Sequence, residues 1–75
     1  MTEVRVPKLG VSMEDGSISE WLVGNGDAVS EGQVIYRIET DKVEMDVESP
    51  AAGTIRLIGE AGETYAVGDL IAEIS

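Results

Sequence analysis

Only two lysines occur in this 75-residue chain, Lys8 and Lys42, and neither histidine nor cysteine accompanies them. That absence excludes disulfides, thiolate nucleophiles, Ser-His-Asp catalysis and nearly every transition-metal site. Chemistry at a lysine amine remains. Lys42 sits in the run Glu39-Thr40-Asp41-Lys42-Val43, with Glu44 and Asp46 close behind it. A lysine among carboxylates is held as an ammonium, which is a poor nucleophile. Schiff-base chemistry is therefore disfavoured, and acylation of this residue would need an enzyme. Residue type and spacing alone leave two readings open, a modification site or an ordinary solvated charge.

The elements that must position Lys42 are strands. Helical periodicity is absent, and short β-branched runs separated by glycine-containing turns recur about every ten residues, as in a sandwich or barrel. Strands are expected at Glu3–Lys8, Gly16–Val23, Gln33–Thr40, Val43–Ser49, Thr54–Gly59 and Leu70–Ile74, with extended pieces near Asp27–Ala28 and Thr64–Ala66. Val43, Met45 and Val47 alternate with Glu44, Asp46 and Glu48, so this strand should bury one face and wet the other. Trp21 breaks the alternation begun by Ile18, which a bulge near Glu20 would explain. Between the two central strands the connection contains no Gly, Asn or Pro, and its tip is Asp41-Lys42. Two-residue hairpins normally use primed turns with Gly or Asn, so an ordinary type I turn is expected here. A local rule broken at such a tip points to function.

An internal repeat places that tip. Gly16-Ser17-Ile18 matches Gly53-Thr54-Ile55; Gly26-Asp27 matches Gly62-Glu63; Gly32-Gln33-Val34-Ile35 matches Gly68-Asp69-Leu70-Ile71. Two half-domains related by a pseudo-two-fold axis follow, each unable to bury its apolar face alone. The link Thr40–Val43 should then lie at the opposite end of the molecule from the termini.

Composition limits the function further. The chain is long enough for one domain, residues 1–75, with a core near the lower limit for independent stability, which makes a catalytic cleft improbable. Fifteen acidic residues against five basic ones give a net charge of −10. That balance disfavours nucleic acid and anionic membranes and suits basic protein partners. No apolar run reaches the roughly 20 residues of a membrane span, and no export leader is evident. The expectation is a monomeric domain without metal or disulfide, in the cytoplasm in preference to the mitochondrial matrix. Trp21, Tyr36 and the valines read as core. Gly24-Asn25-Gly26 reads as a tight turn, since it lacks the strand-to-helix context of a phosphate loop.

Glu39-Thr40-Asp41-Lys42-Val43 resembles the attachment motif of the biotinyl/lipoyl carrier family, and the likeness runs along essentially the whole chain. Pro7-Lys8-Leu9-Gly10 with Ser12, Met13 and Gly16 looks like the family's first strand and loop. Gly26 and Gly53 fall at its flanking glycines, and Ser49-Pro50-Ala51-Ala52-Gly53 looks like its fifth-to-sixth strand turn. The resemblance implies an all-β fold, a flattened barrel of two four-stranded antiparallel sheets, with Lys42 at a hairpin tip. It implies covalent lipoate on Lys42, and a domain that carries acyl groups and reducing equivalents without catalysing anything itself. Implied partners are a lipoate-attaching enzyme and the thiamine-diphosphate decarboxylase, acyltransferase core and flavin-dependent dihydrolipoamide dehydrogenase of a 2-oxo acid dehydrogenase complex. Biotin carriers place their lysine between methionines, whereas this chain has Asp41-Lys42-Val43. Gly10-Val11-Ser12-Met13 is more similar to pyruvate or acetoin complexes than to the 2-oxoglutarate type. Glu39, Thr40, Asp41 and Val43 become candidates for recognition of the attachment turn. Leu9, Gly10, Val11, Ser12, Met13, Glu14 and Asp15 become a candidate partner-contact loop. The implied origin is an N-terminal domain of a larger acyltransferase. Biotin carriage by a carboxylase, and an unmodified acidic β-barrel that binds proteins, remain as alternatives.

Overall fold

A computed structural model describes residues 1–8 and 13–75, among which no helix occurs. Eight strands follow in order: β1 Thr2–Arg5, β2 Asp15–Trp21, β3 Ala28–Val29, β4 Val34–Glu39, β5 Glu44–Glu48, β6 Gly53–Leu57, β7 Thr64–Ala66 and β8 Leu70–Ile74. They form two four-stranded sheets of order β1-β8-β6-β3 and β5-β4-β2-β7, and every pairing is antiparallel. β7 and β8 match the sequence reading residue for residue, whereas most other ends move by one to three positions. The largest change is at β1, which ends at Arg5, just past a register shift against β8 between Val4 and Arg5.

The pseudo-two-fold is written in the hydrogen bonds. Four β-turns each place a glycine of positive φ third, namely Gly26 (90°), Gly32 (87°), Gly62 (88°) and Gly68 (92°), the conformation that a type II turn demands of that position. Asp27, Gln33, Glu63 and Asp69 donate their N–H to the carbonyls of Gly24, Ser30, Glu60 and Ala66. Ile55 N–H to Asp27 O and Ile18 N–H to Glu63 O, both 3.0 Å, are equivalent bonds in the two halves. The repeat therefore exchanges β2 with β6, β3 with β7 and β4 with β8, and it interchanges the two sheets.

The core lies between the sheets. Ile18, Ile35 and Ile38 from one half meet Ile55, Ile71 and Ile74 from the other, with Val4, Val6, Val29, Tyr36 and Ala72. Tyr36 and Ala72 fall at equivalent positions, so a large side chain in one half is matched by a small one in the other. Such alternation lets facing layers interdigitate at crystal-like density. Trp21 reaches the same face because the β2–β4 register shifts between Ile18 and Glu20. This is the bulge that the broken alternation required. The Trp21 ring lies 5.1 Å from that of Tyr36 at 50°, and its Nε1–H donates to Gly59 O at 3.1 Å.

Candidate functional site

The ladders trace which end of the molecule carries Lys42. Glu39, the last residue of β4, pairs with Ser17 of β2, while Asp15 pairs with Ala66. Val67 N–H then donates to Glu14 O, and Gly68 N–H to Val6 O. β8 therefore starts at this end, where Leu70 faces Arg5, and runs away from it to the pair Thr2–Ile74. Lys42 and the chain ends occupy opposite poles, as the repeat requires.

The turn itself is built by Thr40. Its N–H donates to Val43 O at 2.8 Å, closing a two-residue hairpin around Asp41 and Lys42. Neither tip residue has positive φ, so the primed turns are ruled out. Thr40 Oγ1 accepts the N–H of Val43 at 3.1 Å and, more weakly, that of Lys42 at 3.3 Å. A hydroxyl takes up turn donors in this way when the backbone does not. Thr40 is half-buried, whereas Asp41, Lys42 and Val43 are exposed.

Below the tip, the hairpin register pairs Glu39 with Glu44, Ile38 with Met45 and Arg37 with Asp46. Arg37 Nε donates to Asp46 Oδ1 at 3.0 Å and lies 3.9 Å from Glu44. The hydrogen bond to Asp46, with the nearby carboxylates, raises the guanidinium pKa above its ordinary value. Two of the carboxylates that surround Lys42 in sequence thus turn to a cation on the next strand. Among the described residues, Lys42 takes part in no ion pair. Sequence reasoning missed Arg37, although counting back from the turn would have set it opposite Asp46.

The expected burial of one face of β5 needs correction. Val43 and Met45 are 46% and 48% exposed, and only Val47 packs against the core. β5 is an edge strand, and its counterpart under the two-fold is the edge strand β1, which the exposed Met1 precedes. Of the candidate contact loop, residues 9–12 lie outside the described residues. Met13 is half-buried and packs on the core, Glu14 bonds to Val67 through its carbonyl, and Asp15 opens β2.

An exposed lysine on a two-residue hairpin, set at the pole away from the termini of a pseudo-symmetric double sheet, is what an enzyme needs in order to attach a group from outside. A family described as "Biotin-requiring enzyme" matches residues 2–74. The chain belongs to this biotin/lipoyl family. It is 44% identical over 75 residues to the dihydrolipoyllysine-residue succinyltransferase component of the 2-oxoglutarate dehydrogenase complex of Staphylococcus saprophyticus, covering 99% of this chain and 18% of that protein. It is 41% identical over 75 residues to the dihydrolipoyllysine-residue acetyltransferase component of the pyruvate dehydrogenase complex of Mycoplasma capricolum, covering 99% of this chain and 17% of that protein. The chain thus spans less than a fifth of these relatives. The solution structure of the lipoyl domain of the 2-oxoglutarate dehydrogenase complex from Azotobacter vinelandii superposes with a TM-score of 0.82 at 32% identity, over all of this chain and 96% of that one. Within the biotin/lipoyl family the likeness is to lipoyl domains.

Proposed function

We propose that this chain is the lipoyl carrier domain of a 2-oxo acid dehydrogenase complex, with lipoate attached to the Nζ of Lys42. The observation that carries the reading is the exposed Lys42 at the tip of the β4–β5 hairpin, in no ion pair among the described residues. The donor chemistry fits, because an amide-linked group needs only a presented amine and room around it. A lipoyl group supplies a dithiolane that takes up acyl groups together with reducing equivalents. This chain's own residues anchor and present. Paired sheets hold the hairpin base rigid, while the long lysine stem leaves its amine mobile, which raises the effective concentration of whatever it tethers.

The relatives belong to complexes acting on different 2-oxo acids, so the step they share is carriage between active sites. The partners proposed on that basis are a lipoate-attaching enzyme, a thiamine-diphosphate decarboxylase, an acyltransferase core and a flavin-dependent dihydrolipoamide dehydrogenase. Intact-mass analysis after co-expression with a lipoate ligase tests the reading. One lipoyl group is expected on the parent and none on Lys42→Gln, with the fold retained in both. Streptavidin binding would assign biotin in place of lipoate. An unmodified parent would leave an acidic interaction module.

A further inference from the structure

We infer that the Thr40 hydroxyl is the positioning group for Lys42, fixing the conformation in which the attaching enzyme meets it. The role rests on the carrier reading above. An antiparallel two-residue hairpin ordinarily closes with a pair of backbone bonds between its first and fourth residues. Here Thr40 N–H to Val43 O, at 2.8 Å, supplies one of them. The Val43 N–H goes to Thr40 Oγ1 at 3.1 Å, and the Lys42 N–H leans on the same oxygen at 3.3 Å.

This arrangement follows from the residues at the tip. Asp41 and Lys42 both keep negative φ, so the turn cannot adopt the primed twist that matches its strands. A side-chain acceptor placed one atom beyond the backbone relieves that mismatch by reaching donors the Thr40 carbonyl would otherwise serve. Because Thr40 is half-buried while its three successors are exposed, the hydroxyl also ties the tip to the packed part of the hairpin. The lysine stem is flexible. What an enzyme can read as fixed geometry is therefore the Cα–Cβ direction of Lys42, which the turn sets. Neither Glu39 nor Asp41 supplies a hydrogen bond that does this among the described residues. Serine carries the same oxygen on the same Cβ; valine has the shape of threonine without it.

Thr40→Val and Thr40→Ser in the 75-residue chain test the inference, using purified lipoate ligase with lipoate and ATP. Two readouts are taken together, the initial rate of Lys42 acylation and the amide exchange of Val43 and Lys42 measured against Ile38 as a core reference. Thr40→Val should speed exchange at Val43 and slow acylation about tenfold or more, a size consistent with misplacement of a reacting group by a fraction of an ångström. Ile38 protection should stay unchanged. Thr40→Ser should restore both to within about threefold of the parent. Acylation of Thr40→Val at the parental rate would overturn the role, and so would failure of Thr40→Ser to rescue. If Val43 exchange rises in Thr40→Val while acylation does not fall, the hydroxyl is structural only and the inference is wrong. If the parent itself is not acylated, the carrier reading is what fails, and the positioning role goes with it.

Discussion

Glu39 and Glu44 stand directly opposite each other on the last rung of the β4–β5 ladder, one step below the turn that carries Lys42. Like charges facing across a rung oppose strand pairing, and Arg37 offsets only part of this through its approach to Glu44. The tip is thus held together against its own charge. Glu39→Gln should stabilise the domain slightly, by about 0.2–0.5 kcal/mol at low salt, and the gain should vanish as salt screens the exposed pair. Melting curves at two ionic strengths would show it. Equal gains at both would mean that the effect is not electrostatic.

Position along the turn should matter more than charge around it. Exchanging Asp41 and Lys42 keeps composition and exposure, so stability should change by less than about 0.5 kcal/mol. Lipoylation should fall steeply, because the amine leaves the place the hairpin assigns to it. Replacing Glu44 and Asp46 by their amides should have a modest effect on the same rate, since their side chains face Arg37 and solvent. Initial lipoylation rates for the three proteins decide between the two influences. An exchanged turn modified as fast as the parent would remove positional presentation as the selector.

Tyr36 is completely buried, and its hydroxyl has no hydrogen-bond partner among the described residues. Burial disfavours the phenolate and pushes the pKa up to about 12 from 10.0. A folded pKa above the unfolded value means that the neutral form stabilises the fold fully below pH 10, and that this contribution is lost as pH rises towards 12. The amount is of order 2–3 kcal/mol. Alkaline unfolding followed by circular dichroism should coincide with ionisation of one tyrosine in the ultraviolet. Tyr36→Phe removes an orphaned polar atom, so it should leave stability equal or higher, by about 1–3 kcal/mol at most, and should abolish the tyrosine-linked part of the alkaline transition. A marked loss of stability in Tyr36→Phe would show that the hydroxyl has a partner after all.

Two glycines of positive φ differ in whether steric clash adds to backbone strain. At Gly62, with φ of 88°, an added Cβ would meet nothing within 4 Å, so Gly62→Ala should cost about 1–2 kcal/mol through conformation alone. At Gly53 the added Cβ would lie 2.6 Å from the Ser75 carbonyl oxygen, which accepts the Thr54 N–H. Backbone has to move there, and Gly53→Ala should destabilise by more than Gly62→Ala. Chemical denaturation of both proteins with a common m-value would establish the order, and the reverse order would contradict the close approach of β6 to the chain end.

Much of this molecule could be read from local patterns. Glycines at matching offsets revealed the two half-domains because a type II turn imposes the same φ wherever it occurs. Alternation broken at Trp21 revealed the bulge, since a strand can keep both Ile18 and Trp21 inside only by adding a residue. Glu39-Thr40-Asp41-Lys42 stood out because a hairpin tip without Gly or Asn is unusual. Burial at Val43 and Met45 was not legible in the same way. Alternation states which residues share a face, but whether that face is covered depends on how far the opposite sheet extends, a property of two segments distant in sequence. The pairing of Asp46 with Arg37 lay within reach of counting back from the turn, whereas the sharing of the Thr40 hydroxyl between Val43 and Lys42 rests on distances within the turn that residue types do not fix. Composition surrounded Lys42 with carboxylates, and only the strand register, fixed once the chain folds, turned two of them toward a different cation and left the lysine side chain without an ion pair among the described residues.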